Sequence, residues 1–257
     1  MLLKDKQAVI YGGGGSVGAA IAITFAREGA TVFLSGRSAP ALEATAGKIR
    51  AAGGKAETAL VDALDQQAVE DYLNGVVKKA GRIDISFNAI GLEDTQDIPL
   101  VRMQLEDFLR PISIAMRTQF ITATAAGRHM QRQGAGVILA ITATPAGKAY
   151  PLVGGFGPAC SAMEGFCRNL AAELGPHGVR VVTLRSAGSP DSAVFIRAIE
   201  GDPSTGLPAI EGLVNDTMLR KLPKLQEVAD VAAFMASDRA SGVTGAVANV
   251  TCGTTVL

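Results

Sequence analysis

The chain has 257 residues, of which 48% are hydrophobic and 19% charged, so it can bury a large core and is not a disordered protein. Its 24 basic and 24 acidic residues balance and it has no Trp, which argues against binding to nucleic acid or to an anionic membrane. No apolar stretch reaches the length of a membrane span, and residues 1–11 lack a signal-peptide pattern. The three cysteines form no disulfide framework, since Cys160 and Cys167 are too far apart along a helix to pair, so we expect a cytoplasmic protein.

The first predicted strand, residues 8–11, leads into a glycine-rich turn and then into a helix that runs to Glu28. The turn has the sequence Gly12-Gly13-Gly14-Gly15-Ser16-Val17-Gly18. Glycines at this place permit a sharp turn, close approach of the backbone to a pyrophosphate, and tight packing of the helix on the strand. The helix N-terminus adds free N–H groups and a partial positive charge. This unit therefore predicts a dinucleotide site, and the alternative is a merely flexible turn.

The second predicted strand, residues 31–34, is followed by Ser35-Gly36-Arg37-Ser38. A site that prefers NAD carries an acidic residue here, which binds the ribose hydroxyls. Gly36 leaves that place empty, whereas Arg37 can pair with a 2′-phosphate. The turn therefore predicts NADP(H) as the cofactor, and the alternative is that Arg37 is only a solvated turn residue.

Helices and short strands alternate along the rest of the chain. Further strands are predicted at residues 59–61, 83–87, 137–141, 179–184 and 246–250. The helices between them are predicted around Leu42, Ala46 and Ile49, and at residues 66–80, 105–130, 157–174 and 226–237. Pro111 is expected to kink or restart the helix in which it lies. Residues 187–225 are rich in Gly, Pro, Asp and Ser, and we expect them to form a substrate lid.

The seven predicted strands, each apolar throughout, indicate a parallel sheet that is covered on both faces. Right-handed crossovers then give a Rossmann-like, doubly wound α/β fold with seven parallel strands and helices on both faces. No linker divides the chain, so residues 1–257 are predicted to form a single domain.

Several motifs, taken in order, resemble those of the short-chain dehydrogenase/reductase family over nearly the whole chain. Gly12-xxx-Ser16-x-Gly18 is similar to the family's TGxxxGxG turn, with Tyr11 in place of its Thr and Ser16 in place of its middle Gly. In place of the missing glycine, the Ser16 hydroxyl could cap the helix. Asn88-Ala89-Ile90-Gly91 resembles the family's NNAG segment, and Asp62 matches the residue used against the adenine. The resemblance implies cofactor contacts at Gly12, Gly14, Gly15, Ser16, Val17, Gly18, Arg37, Ser38, Asp62, Ala63, Asn88, Ala89, Ile90 and Ser186.

The catalytic positions depart from that family's pattern. Its members reduce carbonyls with a Tyr acid and a Lys four residues later, assisted by a Ser and an Asn. The matching helix segment places Phe156 at the Tyr position and Cys160 at the Lys position, with Ala143 for the Ser and Ala115 for the Asn. The chain therefore resembles an atypical member that lacks all four chemical groups.

Three hypotheses follow for the activity. The first is an NADP(H)-dependent oxidoreductase with a non-standard active site, which reduces a carbonyl or enoyl substrate. It uses the nearby hydroxyls of Tyr150, Thr142 and Thr144. The alternative for Tyr150 is a packing or surface role. The second is a catalytically silent NADP(H)-binding, scaffold or subunit protein. The third makes Cys160 a nucleophile, against its interpretation as a small apolar helix residue.

The remaining site and partner predictions concern metals, anions and self-association. His129 and His177 are isolated from Cys and carboxylate clusters, so no metal site is expected. Arg185, at the carboxyl end of a strand, can attract an anionic group of the substrate. The helices at residues 105–130 and 157–174 have enough apolar surface for both core and partner. The family resemblance implies a homo-oligomer, a tetramer or a dimer, built on these helices.

Overall fold

The central sheet of the computed structural model, which describes residues 1–201 and 203–255, contains seven strands. They are β1 (Gln7–Tyr11), β2 (Thr31–Gly36), β3 (Lys55–Leu60), β4 (Ile85–Asn88), β5 (Gly136–Ala143), β6 (Val179–Ser186) and β7 (Val247–Val250). All neighbours pair in parallel, in the order β3-β2-β1-β4-β5-β6-β7. The order reverses between β1 and β4, and in such sheets ligands bind in the crevice outside the carboxyl ends of the strands at that point. The predicted doubly wound, seven-stranded fold is confirmed.

Helices cover both faces of the sheet. Within the described residues they are α1 (Ser16–Arg27), α2 (Ala39–Ala51), α3 (Gln66–Ala80), α4 (Leu105–Gln133), α5 (Phe156–Leu174), α6 (Ala193–Gly201), α7 (Pro203–Asn215) and α8 (Leu225–Ala236). Residues of α1, α2 and α8 share one buried cluster with Ala8 and Ile10 of β1, whereas α3, α4 and α5 share the other with Val9 and Tyr11. Since successive strand residues point to opposite faces, both sets must be apolar. None of the described helices has the length and apolar character needed to cross a membrane.

The two edge strands differ from the prediction that every strand is apolar throughout. β3 begins at Lys55, four residues before the predicted start, and includes the polar residues Glu57 and Thr58. Ala56 is the one buried residue of β3, and the other residues of β3 and all of those of β7 are half-buried or exposed. An edge strand has a neighbour on one side only, and polar side chains there are compatible with the sheet. The predicted hydrophobic run at residues 59–61 therefore marked only the C-terminal end of β3.

Helix α4 is continuous through Pro111, so the prediction that the helix restarts there is wrong. Pro111 is buried in the second turn, where its missing N–H removes one intrahelical hydrogen bond. A Cβ placed on Gly155 would lie 2.9 Å from Cγ of Pro111, which shows that the proline packs against the start of α5. Tertiary packing therefore accommodates the proline inside one long helix.

Residues 187–225, the predicted substrate lid, contain the helices α6 and α7. Asp202 of this segment lies outside the described residues. The backbone N–H of Ala193 donates to Oγ of Ser16 over 3.0 Å. Gly15 is the N-cap of α1 and no side chain caps it, so the expectation that Ser16 caps this helix is wrong. The Ser16 hydroxyl instead ties the glycine-rich turn to the start of α6.

A buried phenol beneath the turn predicts an alkaline limit to stability. The hydroxyl of Tyr11 has no hydrogen-bond partner among the described residues, and its ring packs edge-on against Tyr72. Burial raises the pKa of Tyr11 well above its ordinary value of about 10. The unfolded chain therefore loses this proton first as the pH rises, so the stabilising contribution is complete below about pH 10 and decreases above it.

Tyr11→Phe is expected to reduce the loss of unfolding free energy above about pH 10, by up to about 1.4 kcal/mol per pH unit. At neutral pH the variant should be at least as stable as the wild type, since it removes an unpaired buried hydroxyl. Urea unfolding at neutral pH and at about pH 10.5 checks both statements. Equal losses of stability in the two proteins between these pH values would contradict the assignment to Tyr11.

Candidate functional site

Two glycines of the turn between β1 and α1 are required by close backbone contacts. Gly12 has a φ of +73°, and a Cβ at this position would lie 2.6 Å from the carbonyl oxygen of Ala89. A Cβ on Gly18 would lie 2.3 Å from the carbonyl oxygen of Gly12. The N–H groups of Gly12 and Gly13 both donate to the carbonyl of Ser35, over 2.9 and 3.1 Å. The turn is thereby held against β2, the loop after β4 and the first turn of α1.

A cavity of about 280 Å³ opens at the carboxyl ends of β1, β2, β3 and β4. Five residues predicted to bind the cofactor line it, namely Gly12, Arg37, Asp62, Ala63 and Ile90. The other predicted cofactor residues are not among its lining residues: Gly14, Gly15, Ser16, Val17, Gly18, Ser38, Asn88, Ala89 and Ser186. The remainder of the lining was not predicted and comprises Tyr11, Ser35, Gly36, Val61, Leu64, Gly91, Glu93, Ile114 and Thr118. The cavity is therefore lined by the loops after four strands and by one face of α4.

The walls of this cavity suit the adenosine end of a dinucleotide. A Cβ on Gly91 would meet no atom within 4 Å, and one on Gly36 would meet only Leu42, at 3.6 Å, so both glycines leave space free. Asn88 does not line the cavity but fixes the backbone of the lining residue Ile90, because its Oδ1 accepts from the N–H of Ile90 over 3.0 Å. Oδ1 of Asp62 accepts from the N–H of Leu64, also over 3.0 Å. These contacts fix the loops after β3 and β4, and the cavity volume matches a nucleoside better than a complete dinucleotide.

Glu93 is the functional side chain of this cavity that the sequence interpretation missed. Its Oε1 accepts from Nη2 of Arg37 over 3.0 Å, and both side chains line the cavity. The two residues are 56 positions apart, and no motif links them. Only the parallel neighbours β2, β1 and β4 bring the two loops together.

The four residues that the family resemblance places at the catalytic positions lie together. Ala115 of α4 and Cys160 of α5 are fully buried in one small hydrophobic cluster, and Ala143 and Phe156 pack against it. Leu92, from the loop after β4, is buried in the same cluster. The region where the family resemblance implies an Asn, Ser, Tyr and Lys is thus filled by apolar atoms.

Cys160 has the environment of a structural thiol. Burial raises the pKa of this thiol to about 12, so it is neutral at physiological pH. A nucleophilic cysteine needs a thiolate and some exposure, whereas Cys160 is 1% exposed. The environment therefore favours the interpretation of Cys160 as a small apolar helix residue over the nucleophile hypothesis.

A buried ion pair lies beside this apolar cluster. Arg185 donates through Nε and Nη2 to the two carboxylate oxygens of Glu164, over 2.9 and 2.7 Å, and the two side chains are 6% and 5% exposed. The Thr142 hydroxyl donates to Oε1 of Glu164 over 2.9 Å. Hydrogen bonding to Glu164 raises the pKa of Arg185 further above its ordinary value. The hydroxyl of Thr142 and the charge of Arg185, both predicted to face substrate, are therefore directed at Glu164.

Tyr150 lies at the predicted lid, in a cluster with two charged residues. Its hydroxyl donates to Oδ2 of Asp216 over 2.9 Å, and Nζ of Lys148 pairs with the other carboxylate oxygen. Burial and the hydrogen bond to Asp216 raise the pKa of Tyr150, whereas the hydrogen bond with Thr144 lowers it. The hydrogen bond from Lys148 is the main cause of the lowered pKa of Asp216. Of the three predicted hydroxyls, Tyr150 and Thr144 thus lie together.

Comparisons with known proteins agree with this architecture. A family model described as enoyl-(acyl carrier protein) reductase matches residues 13–255. Levodione reductase of Leifsonia aquatica is 29% identical over 95% of this chain and 91% of its own length. Hydroxynaphthalene reductase of Aspergillus fumigatus is 31% identical, with 95% of this chain and 90% of the relative covered.

A solved structure of 7α-hydroxysteroid dehydrogenase, complexed with NADH and 7-oxo glycochenodeoxycholic acid, superposes with a TM-score of 0.85. It is 29% identical, and the alignment covers 98% of this chain and 94% of that chain. These relatives are oxidoreductases, and the 7α-hydroxysteroid dehydrogenase is complexed with a nicotinamide cofactor. The fold, the glycine-rich turn and the nearly complete match to the family model together show that the chain belongs to the short-chain dehydrogenase/reductase family.

Proposed function

We propose that the chain is an NADP(H)-dependent oxidoreductase with a non-standard active site, which reduces a carbonyl or an enoyl substrate. The observation that carries this proposal is the cavity at the carboxyl ends of the central strands, where Gly12, Arg37 and Asp62 meet. Bound NADPH would supply the hydride. Levodione reductase and a 7α-hydroxysteroid dehydrogenase complexed with NADH and a 7-oxo compound share this architecture and support the choice of reaction class.

Arg37 supports the choice of NADP(H). Its guanidinium lines the cavity at the end of β2, where a 2′-phosphate of the adenosine ribose would lie. Gly36 supplies no carboxylate to repel that phosphate, and Oδ1 of Asp62 already accepts from the N–H of Leu64. In this proposal the remaining predicted cofactor residues, from Gly14 to Gly18, bind the pyrophosphate through the N–H groups at the start of α1.

Tyr150 is the proposed proton donor to the substrate oxygen. Its raised pKa keeps the phenol protonated at neutral pH, and Thr144 lies beside it as a second hydroxyl. Lys148 supplies a positive charge next to the same group, with Nζ 5.5 Å from the centre of the Tyr150 ring. Residues 187–225 act as the substrate lid in this proposal, since Asp216 joins them to Tyr150. Thr142 orients Glu164 and does not contact the substrate.

A second candidate function is a catalytically silent NADP(H)-binding, scaffold or subunit protein. The observation that favours it is the apolar cluster at Ala115, Ala143, Phe156 and Cys160, where no side chain can stabilise a developing negative charge. This candidate retains the cofactor cavity but has no hydride transfer. It differs from the first in one measurable property, which is turnover.

We also propose that the protein is a cytoplasmic homo-oligomer, a tetramer or a dimer, built on α4 and α5. Phe120 of α4 is 53% exposed, and its ring lies 6.0 Å from that of Phe166 of α5, centre to centre. An exposed aromatic ring that packs beside the half-buried ring of an adjacent helix is suited to a subunit interface. The three cysteines, which are all free thiols, support a reducing compartment.

The test of the proposed function is hydride transfer from NADPH that carries deuterium at C4 of the nicotinamide. The purified protein is incubated with a panel of ketones, enoyl thioesters and quinones, and the products are analysed by mass spectrometry. Stereospecific transfer of one deuterium to any substrate supports the reductase and eliminates the silent candidate. NADPH binding by calorimetry with no transfer to any member of the panel supports the silent candidate instead.

A further inference from the structure

The mouth of the cofactor cavity has an unusual charge arrangement for a site that would bind a 2′-phosphate. Its charged lining residues, among those that the structure describes, are Arg37, Asp62 and Glu93. One cation therefore faces two carboxylates, and the cation is already paired with Glu93 over 3.0 Å. A phosphate monoester carries about 1.5 to 2 negative charges at neutral pH. It must therefore compete with Glu93 for Arg37.

The position of Glu93 is defined by its backbone. Its neighbour Leu92 is buried in the apolar cluster with Ala115 and Cys160, and Gly91 on the other side lines the cavity. Glu93 itself has a φ of +53°, in the left-handed region that a residue with a Cβ adopts at a cost of about 1–2 kcal/mol. Packing of Leu92 thus holds the loop in a conformation that directs Glu93 toward Arg37.

The Arg37–Glu93 pair is also weak enough to exchange. The two side chains are 66% and 53% exposed, and ion pairs of this kind contribute at most about 1 kcal/mol. A 2′-phosphate can therefore displace the Glu93 carboxylate from Arg37. The ribose of NAD leaves the ion pair intact, and its hydroxyls can donate hydrogen bonds to the Glu93 carboxylate. In NAD-preferring sites an acidic residue at the end of β2 binds the ribose hydroxyls, and Gly36 cannot do this. Glu93, from the loop after β4, supplies a carboxylate for the same function.

We infer that Glu93 is a specificity-determining residue, which lowers the preference for NADP(H) over NAD(H) by competing with the 2′-phosphate for Arg37. This inference rests on the proposed function, because it requires that a nicotinamide dinucleotide binds in this cavity. Glu93 opposes the NADP(H) preference that Arg37 provides. The ratio of the two affinities, and not their absolute values, reports its role.

The experiment measures dissociation constants of NADP⁺ and NAD⁺ by isothermal titration calorimetry for the wild type and for Glu93→Gln. The variant is expected to raise the ratio Kd(NAD⁺)/Kd(NADP⁺) by roughly 2- to 5-fold at low salt, mainly through tighter NADP⁺ binding, and by less at high salt. In an Arg37→Gln background, the same Glu93→Gln change should alter the ratio by a smaller factor, because the displaced ion pair no longer exists.

The matched control is Asp230→Asn. Asp230 of α8 forms an exposed ion pair with Arg27 of α1, and neither residue lines the cavity. The control should leave the ratio unchanged. An unchanged ratio in Glu93→Gln, or an equal change of both affinities, would overturn the inference while the proposed cofactor site stands. If the wild type binds neither dinucleotide, the proposed function fails and the inference fails with it.

Discussion

Replacing Glu164 with glutamine is expected to lower the free energy of unfolding by about 3–5 kcal/mol. The substitution keeps the size of the side chain but replaces the carboxylate, which accepts from Nε and Nη2 of Arg185, with a neutral amide. Removing the charge of one partner from a buried ion pair costs more than losing a hydrogen bond between neutral groups. Urea unfolding with a linear extrapolation measures the change.

Two variants show whether the effect comes from burial of the pair. Asp230→Asn breaks an exposed ion pair with Arg27 and should cost less than about 1 kcal/mol. The double variant Glu164→Gln with Arg185→Met should cost less than the sum of the two single substitutions, because the two side chains contact each other directly. A cost for Glu164→Gln as small as that of Asp230→Asn would mean that water reaches the Glu164 carboxylate and that the pair is not buried in solution.

The same ion pair explains why part of this chain could be predicted and part could not. The glycine-rich turn and its flanking strand and helix are local patterns, and the structure places β1 and α1 within a residue or two of their predicted bounds. The long helix α3 begins at Gln66 and ends at Ala80, as its periodicity indicated. Such elements depend on contacts between residues close in sequence, which spacing reveals.

The contacts that define the site link distant segments. Glu164 and Arg185 lie on α5 and β6, and Arg37 and Glu93 follow β2 and β4. Each of these acidic residues resembles an ordinary solvated helix or loop residue in the sequence, because nothing in its neighbourhood indicates a partner. The motif resemblance, in contrast, predicted which residues occupy the family's four catalytic positions, and the fold brings Ala115, Cys160, Ala143 and Phe156 together at one cluster.

Tyr150→Phe is expected to lower kcat for the reduction by about 10²- to 10⁴-fold, because the proposed proton donor is lost. The affinity for NADPH should change by less than about twofold, since Tyr150 does not line the cofactor cavity. Steady-state kinetics with a substrate identified by deuterium transfer, together with calorimetry, separate the two effects. Tyr72→Phe, which removes a phenol hydroxyl from the α3 side of the sheet, is the matched control and should keep kcat within about twofold. Retention of more than half of kcat in Tyr150→Phe would assign proton donation to another group.

The pH profile of Asp216→Asn distinguishes a chemical role of Tyr150 from a structural one. The hydrogen bond to the Asp216 carboxylate is one cause of the raised pKa of Tyr150, so a neutral amide in its place should lower that pKa. A phenol that donates a proton must be protonated, and the alkaline limb of the kcat profile should therefore move to lower pH in Asp216→Asn. If Tyr150 only anchors the lid, the variant should change KM while the alkaline limb stays where it is in the wild type. A displaced limb would thus connect the lid residue Asp216 to the proton that Tyr150 donates.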